Sequence, residues 1–389
     1  MSDTFLYISS WYPTQTTSTG TFIENQLICL KEIGCKSSIL HTGERSIGTY
    51  LRQRFKGEMA LPYRSHPDVK AVKNLIVHPE PLRWFAKPEL RRRANIEKQS
   101  IRKVKRYITA HGKPKYLFHH GIFDYTYITQ ALAAHFDLPY YFMEHSSSVD
   151  LGHMKTVQPF VGQEELMDFV RRARRRFSVS HVYCEKFEKL FGCAFEHLPN
   201  VLPANFFRKD FSNSTKDEGF HLLSIGILEP HKRHEMLLEA FSRAFAKDSE
   251  ARLTIVGEGS LQVHLQKRVR DLGLEDRVRL TGFVDRQKLL SIIDRCHAFV
   301  LSSQRETFAV VLTEAMARGL PVLAPKIDGP AEIVEEGTGM LFEVESMNDL
   351  VAKLQLMKSE WSAYHGEVIA QRAAQRYGAE ALRKLLKEG

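Results

Sequence analysis

The stretch Phe299–Glu314, FVLSSQRETFAVVLTE, limits the possible folds of this chain more than any other. The apolar run Ala298–Leu301 predicts a buried strand and Ser302–Glu306 a short polar loop, and the apolar positions from Phe308 to Gly319 recur at helical spacing. In that order, the amides of Phe308, Ala309 and Val310 fall in a first helical turn, with Thr307 leading into it. They are unpaired there and sit at the positive end of the helix dipole, where a phosphate can bind. Glu306 lies just before the turn. Glu314 lies nearly two turns into the helix, roughly 9 Å along the axis from Phe308. Carboxylates repel a diphosphate, so the two read as hydroxyl acceptors on either side of one, on a sugar and on a ribose. That pattern suits a nucleotide sugar; the alternative is two solvated charges beside a core helix.

At 389 residues the chain suits two domains. A hydrophobic content of 43% predicts sizeable cores. The five cysteines form no Cys-x-x-Cys pair, which points to a reduced, cytoplasmic protein. The first residues run straight into an apparent strand, Thr4–Ser9, with no signal-peptide pattern, and no apolar run is long enough to span a membrane. The net charge of +9 is unevenly placed. Residues 1–200 hold 29 Lys and Arg against 19 Asp and Glu, and the remainder holds 26 against 27. An acidic partner for the first half follows, whether a bilayer surface, a phosphorylated acceptor or nucleic acid.

Candidate strands Thr4–Ser9, Ser37–His41, Asn74–His78, Tyr116–His119, Tyr140–Glu144 and Phe177–Ser180 alternate with helical patterns, as in a parallel, doubly wound sheet. A second alternating series starts at Phe220, with strands at His221–Gly226, Arg277–Val284 and Val322–Ala324 and near Arg252. Ligands of such sheets gather at the carboxyl ends of the strands. His119, His120 and His145 fall at such ends, although isolated histidines are more often structural. Gly20 opens a helical pattern after the first strand, and Lys232 sits where a loop enters a helix that begins near Arg233. Gly257, Gly259 and Gly282 allow close backbone approach to a base. The segment Arg83–Thr109 is strongly basic, with Trp84 and Phe85 beside it, and Arg171–Arg176 forms a second basic cluster. Each reads as an interfacial element on an anionic membrane or as a solvated helix face.

Glu306 and Glu314, then Ala-Met-Ala-x-Gly-x-Pro-Val, then Asp-Gly-Pro-Ala-Glu-Ile-Val (Asp328–Val334) resemble the family-4 retaining glycosyltransferases. The resemblance is densest from Ser224 to Phe342; Ser178–Phe187 and His197–Phe207 also look like family segments. It implies an α/β chain of the GT-B fold, with two Rossmann-like domains facing each other across a cleft. The acceptor domain would be residues 1–200, the linker 201–219 and the nucleotide-sugar domain 220–375, with a last helix at about 376–389 packing back on the first domain. By the resemblance, Gly20 and His145 line the donor site, Lys232 neutralises the diphosphate, Glu306 holds sugar hydroxyls and Glu314 the ribose. The reaction implied moves a hexosyl group with retention from a nucleotide sugar, UDP-linked or GDP-mannose, to a saccharide or lipid-linked acceptor, in the manner of polysaccharide, lipopolysaccharide or capsule assembly. The donor's own phosphate would help to deprotonate the nucleophile.

The chain has no Asp-x-Asp triplet, so no metal and no cofactor are expected. It departs from the family in Gly20-Thr21, where relatives often carry paired glycines, and in Gly226-Ile227, where many carry Gly-Arg. A 2-epimerase acting on nucleotide sugars would need no acceptor or basic face. A nucleic-acid-binding protein would need a binding module that the sequence does not show.

Overall fold

The computed structural model describes residues 4–9, 20–46, 69–78, 88–122, 125–145, 161–212 and 216–387. The loop before Gly20 and the Arg83–Lys87 end of the first basic segment, with Trp84 and Phe85, lie outside them. Two compact units form: Met1–Val201 together with Leu382–Gly389, and Leu202–Ala381.

The first unit holds a parallel sheet of β1 (Thr4–Ser9), β2 (Lys36–Ser46), β3 (Lys70–His78), β4 (Tyr116–His120), β5 (Tyr140–Glu144), β6 (Arg175–Ser178) and β7 (Glu196–His197), in the order β3-β2-β1-β4-β5-β6-β7. Successive residues of a strand face opposite sides. Leu6, Ile8, Leu117 and Phe142 therefore face the helices in one apolar core, while Phe5, Tyr7, Phe118, Tyr141 and Phe177 pack as a ring cluster on the other face. The basic segment forms helix Pro88–His111, whose Ile96, Ser100, Val104 and Tyr107 are buried at helical spacing. The helix starts at Pro88, where a missing N–H costs nothing.

The second unit repeats the plan with β8 (Phe220–Ile225), β9 (Ala251–Val256), β10 (Val278–Leu280), β11 (Ala298–Val300), β12 (Val322–Pro325) and β13 (Gly339–Phe342), in the order β10-β9-β8-β11-β12-β13. Its core joins Leu222, Leu253, Ile255 and Val300 to Leu237, Phe241 and Leu354 of the covering helices. In both sheets the first strand of the unit lies in the middle, with neighbours added on either side.

Several elements differ from the sequence reading. The strand expected over Arg277–Val284 shrinks to three residues, after which Gly282 pairs with Gly257 in an isolated bridge. Strand β6 begins at Arg175, so Arg175 and Arg176 of the second basic cluster lie in the sheet. The short strands β7 and β13 were not legible. The stretch expected as a linker is packed within the second unit where it is described. Leu202 and Phe206 are buried with Ala317; the Leu202 N–H donates to the Tyr377 carbonyl at 2.7 Å and the Arg208 N–H to the Ala317 carbonyl at 3.0 Å. Its apolar side chains gain more by burial than an exposed tether would allow.

Candidate functional site

In the second sheet the chain leaves β8 towards β9 on one side and β11 on the other, which opens a crevice beyond the carboxyl ends of β8 and β11. The two loops there are tied together. The Gln304 N–H donates to the His231 carbonyl and the Ser302 hydroxyl to the Lys232 carbonyl, both at 2.8 Å. Lys232 ends the short 3-10 turn Pro230–Lys232, and its ammonium donates to Oε1 of Glu306 at 2.5 Å. The Ser303 hydroxyl donates to the same oxygen at 2.8 Å. The Lys232 and Glu306 side chains keep 17% and 13% of their exposure, enough for a ligand to reach them and too little for water to screen them fully. Lys232 and Glu306, chosen from the sequence for separate roles, are thus one ion pair.

Helix Val310–Ala317 follows, capped by Ala309 in the left-handed region at φ 73°. The helix therefore starts two residues later than the sequence suggested. Phe308 and Ala309 lie before its first turn, and Glu314 is its fifth residue, about one turn in. Such a backbone costs a non-glycine residue about 1–2 kcal/mol and persists only where its surroundings enforce it. The surroundings here are Gly329, on which a Cβ would collide with Thr307 and with Phe308 Cα, the latter at 2.6 Å. The Phe308 ring is buried edge-on to Tyr377 at 5.7 Å. Glu314 is 8% exposed, and its carboxyl makes no hydrogen bond among the described residues. Burial pushes it up to about 7, opposed by the Arg286 guanidinium. A buried acceptor without a donor is prepared for hydroxyls that a ligand brings.

Three other features were not legible. His234, the first residue of helix His234–Ala244, is buried beside Gly226 and Lys232, and burial holds its imidazole down at about 4. Its Nδ1 has no partner among the described residues. Arg233 cannot stand in for the arginine missing at Ile227, because it is bound to both oxygens of Glu345 at 2.9 Å and to the Val344 carbonyl at 3.1 Å. Gly257 and Gly259 serve the packing of one loop on another, since a Cβ on either would overlap the Gly226–Leu228 backbone. Ile227 and Phe283, near this packing, remain 52% and 54% exposed. Only a Ser-Ser pair in the loop hinted at the supporting hydroxyls.

Gly20 and His145 belong to the first unit, linked through Phe22. Gly20, at φ 82°, caps helix Thr21–Glu32, whose Phe22 ring packs on His145 at 4.3 Å. His145 Nε2 and His120 Nδ1 share a hydrogen bond of 2.9 Å, and burial holds His145 down at about 3. It is a neutral hydrogen-bonding group, with Nδ1 unpartnered among the described residues. Glu144 fixes the strand end by accepting from the Ile122 N–H at 2.6 Å and the His145 N–H at 2.8 Å. His119 faces the opposite side of the sheet and is satisfied by Thr129 at 2.8 Å and the Gly121 carbonyl at 3.0 Å.

The basic clusters divide. Arg93 is bound to Glu165 and Glu97 and stacks over Tyr127. Arg172 pairs with Asp168, Arg175 with Glu196, and Arg171 and Arg176 cap backbone carbonyls. Of these, Arg93, Arg171, Arg175 and Arg176 tie separate elements together, whereas the Arg172 pair is exposed. By contrast, Lys98, Arg102, Lys105 and Arg106 form an exposed stripe on helix Pro88–His111.

This chain has similar proteins among those already known. Residues 205–377 match the model of the family described as glycosyl transferases group 1. Among curated relatives, N-acetyl-alpha-D-glucosaminyl L-malate synthase of Bacillus anthracis is 31% identical over 162 residues, 40% of this chain and 42% of that protein. Mannosylfructose-phosphate synthase of Agrobacterium fabrum is 35% identical over 133 residues, 32% of this chain and 29% of that protein. The chain thus spans less than half the length of these relatives. In structure it is similar to Anabaena HepE in complex with UDP, with a TM-score of 0.70 at 16% identity, covering 100% of this chain and 99% of the other. Sucrose-phosphate synthase from Thermosynechococcus elongatus gives 0.70 at 16% identity, over 99% and 98%. The chain has the α/β GT-B fold, and its residues 205–377 match the group 1 glycosyltransferase model.

Proposed function

We propose that this protein is a retaining glycosyltransferase of family 4. It moves a hexosyl-type group from a nucleotide sugar to a saccharide or lipid-linked acceptor, without a metal. The observation that carries the reading is the Lys232–Glu306 pair at the β8 and β11 strand ends, with the buried Glu314 carboxyl in the next helix. The diphosphate draws the Lys232 ammonium from Glu306, and the freed Glu306 oxygen accepts sugar hydroxyls. Lys232 and the amides of Val310 and Val311 stabilise the charge that develops on the leaving diphosphate. Glu314 accepts the ribose hydroxyls, and Ile227 and Phe283 offer apolar surface to the base. His145, in the first unit, acts as a neutral hydrogen bonder. A UDP-sugar is the favoured donor, since structural neighbours are described with UDP; GDP-mannose is the second choice.

The test is a thermal-shift panel of nucleoside diphosphates and nucleotide sugars on the wild type and on Glu314→Ala, without added metal. Stabilisation by one diphosphate, lost in the variant, is the expected outcome. The same stabilisation in both proteins would remove Glu314 from the site, and none with any nucleotide would overturn the reading.

Among the described residues, no helix is long and apolar enough to cross a membrane. The exposed stripe Lys98, Arg102, Lys105 and Arg106 supports peripheral binding to an anionic bilayer that carries the acceptor, at about 1 kcal/mol per charge. Changing Lys98, Arg102 and Lys105 to Glu should abolish sedimentation with phosphatidylglycerol liposomes while leaving nucleotide binding intact. Unchanged sedimentation would refute it.

A further inference from the structure

His234 opens the eleven-residue helix His234–Ala244 and is 3% exposed. Its ring borders Gly226, the residue that follows β8. Cε1 and Nε2 stand 3.6 and 3.8 Å from the point that a Cβ on Gly226 would occupy, and Cδ of Lys232 stands 3.7 Å from the same point. One edge of the imidazole and the stem of the lysine thus flank a single spot over Gly226.

That spot is large enough for an atom that the fold does not put there. A Cβ on Gly226 would make only ordinary contacts, and its backbone lies outside the left-handed region. Gly257 and Gly259 are different, because a Cβ on either would run into backbone, at 1.9 and 2.5 Å. Packing therefore demands glycine at 257 and 259 and does not demand it at 226. A glycine that the fold does not require suits a place where a ligand comes close to the main chain.

The two nitrogens of His234 differ in their surroundings. Nδ1 is sealed in the fold with no partner among the described residues, whereas Nε2 lies on the edge that faces Gly226. Burial first, then the Lys232 charge and His231, holds the imidazole down at about 4, so the ring is neutral and carries one proton. A sealed N–H without an acceptor is rarer than an unmet lone pair, and the first turn of a helix, at the positive end of its dipole, favours the lone pair further. The proton therefore sits on Nε2, towards the open spot.

We propose that His234 Nε2–H donates to an oxygen of the donor's diphosphate, which settles over Gly226 between the imidazole and Lys232. This role rests on the donor-site reading above and adds a second, uncharged donor to it. The ammonium supplies attraction but must first be drawn from Glu306. The imidazole N–H has no counter-ion to give up, and the helix that begins with it fixes its direction.

Calorimetric titration of the full chain with UDP and with GDP tests it, on the wild type, His234→Phe, His234→Gln and Gly226→Ala. For whichever diphosphate binds better, His234→Phe, which keeps a flat ring and loses the N–H, should lower affinity about tenfold or more. His234→Gln, whose amide N–H can replace Nε2–H, should stay within about threefold of the wild type. Gly226→Ala should also cost about tenfold, with the melting temperature of the unliganded protein unchanged, because its methyl fits the fold and takes the guest's place. This last variant leaves the ring untouched and decides the matter should His234→Phe melt early. Full affinity in His234→Phe or in Gly226→Ala, or equal losses in the Phe and Gln variants, would overturn the role of His234 and leave the Lys232–Glu306 site standing. A wild type that binds neither nucleotide would overturn the donor-site reading, and this role with it.

Discussion

The two sheets share one strand plan, yet the crevices at their centres differ in chemistry. In the first unit the strand ends carry His119, His120, Glu144 and His145, all buried, with both His120 and His145 held neutral by desolvation. In the second unit the same positions carry a partly exposed ion pair, a supporting serine and a helix start. Topology supplies a crevice in both. Among the described residues of these strand ends, the second has a partly exposed ion pair and a buried carboxyl beyond it, the features that suit a diphosphate and its sugars. The first offers neutral hydrogen-bonding groups instead, which suits recognition of hydroxyls without attraction of phosphate.

The sharpest way to break this comparison is Gly329→Ala. The added methyl would collide with Thr307 and Phe308 backbone, displacing the loop that carries Glu306. Overpacking of this kind costs about 1–3 kcal/mol, more against backbone. Nucleoside-diphosphate stabilisation should vanish in a thermal-shift assay, with the second unit melting earlier; a variant with wild-type binding would show that the loop can be repositioned freely.

Next in size is Lys232→Met set against His145→Ala. Losing the ammonium should weaken nucleoside-diphosphate affinity by about ten- to a hundredfold, the range of one charged hydrogen bond. His145→Ala should leave nucleoside-diphosphate affinity within about twofold and lower turnover instead. Calorimetry with the diphosphate alone separates the two, and equal losses in both variants would erase the distinction between the crevices.

The smallest effect, and the one with a pH signature, is Glu314→Gln. The folded carboxyl holds its proton up to about 7, above its ordinary value of 4.5. The stabilising contribution of its protonated form is present below pH 4.5 and lost as pH rises through 7. The amide should therefore raise the melting temperature relative to wild type at pH 8 and change it little at pH 4.5. A constant difference at all pH values would mean that Glu314 does not carry this cost.

The loop after β11 was legible because its signals are local. An apolar run, a polar loop and a helical period fix Glu306, Lys232 and Glu314 at strand and helix ends whatever packs around them. The helix start was misplaced by two residues, because Ala309 adopts a left-handed backbone that its own sequence disfavours and that contact with Gly329 supports. The basic clusters were legible only in part for a related reason. Composition counts charge but does not show that Arg93 faces Glu165 or that Arg175 lies in a strand beside Glu196.

By itself, then, the sequence determined the alternation of strands and helices, the parallel sheets and the residue types at the strand ends, since periodicity and turn chemistry act over a few neighbours. Tertiary structure alone decided which of those residues meet. The Lys232–Glu306 pair joins side chains 74 positions apart, and the Leu202 N–H reaches the Tyr377 carbonyl over a still longer stretch of chain. Pairing and burial on that scale depend on how whole elements pack, and no local window of sequence carries that information.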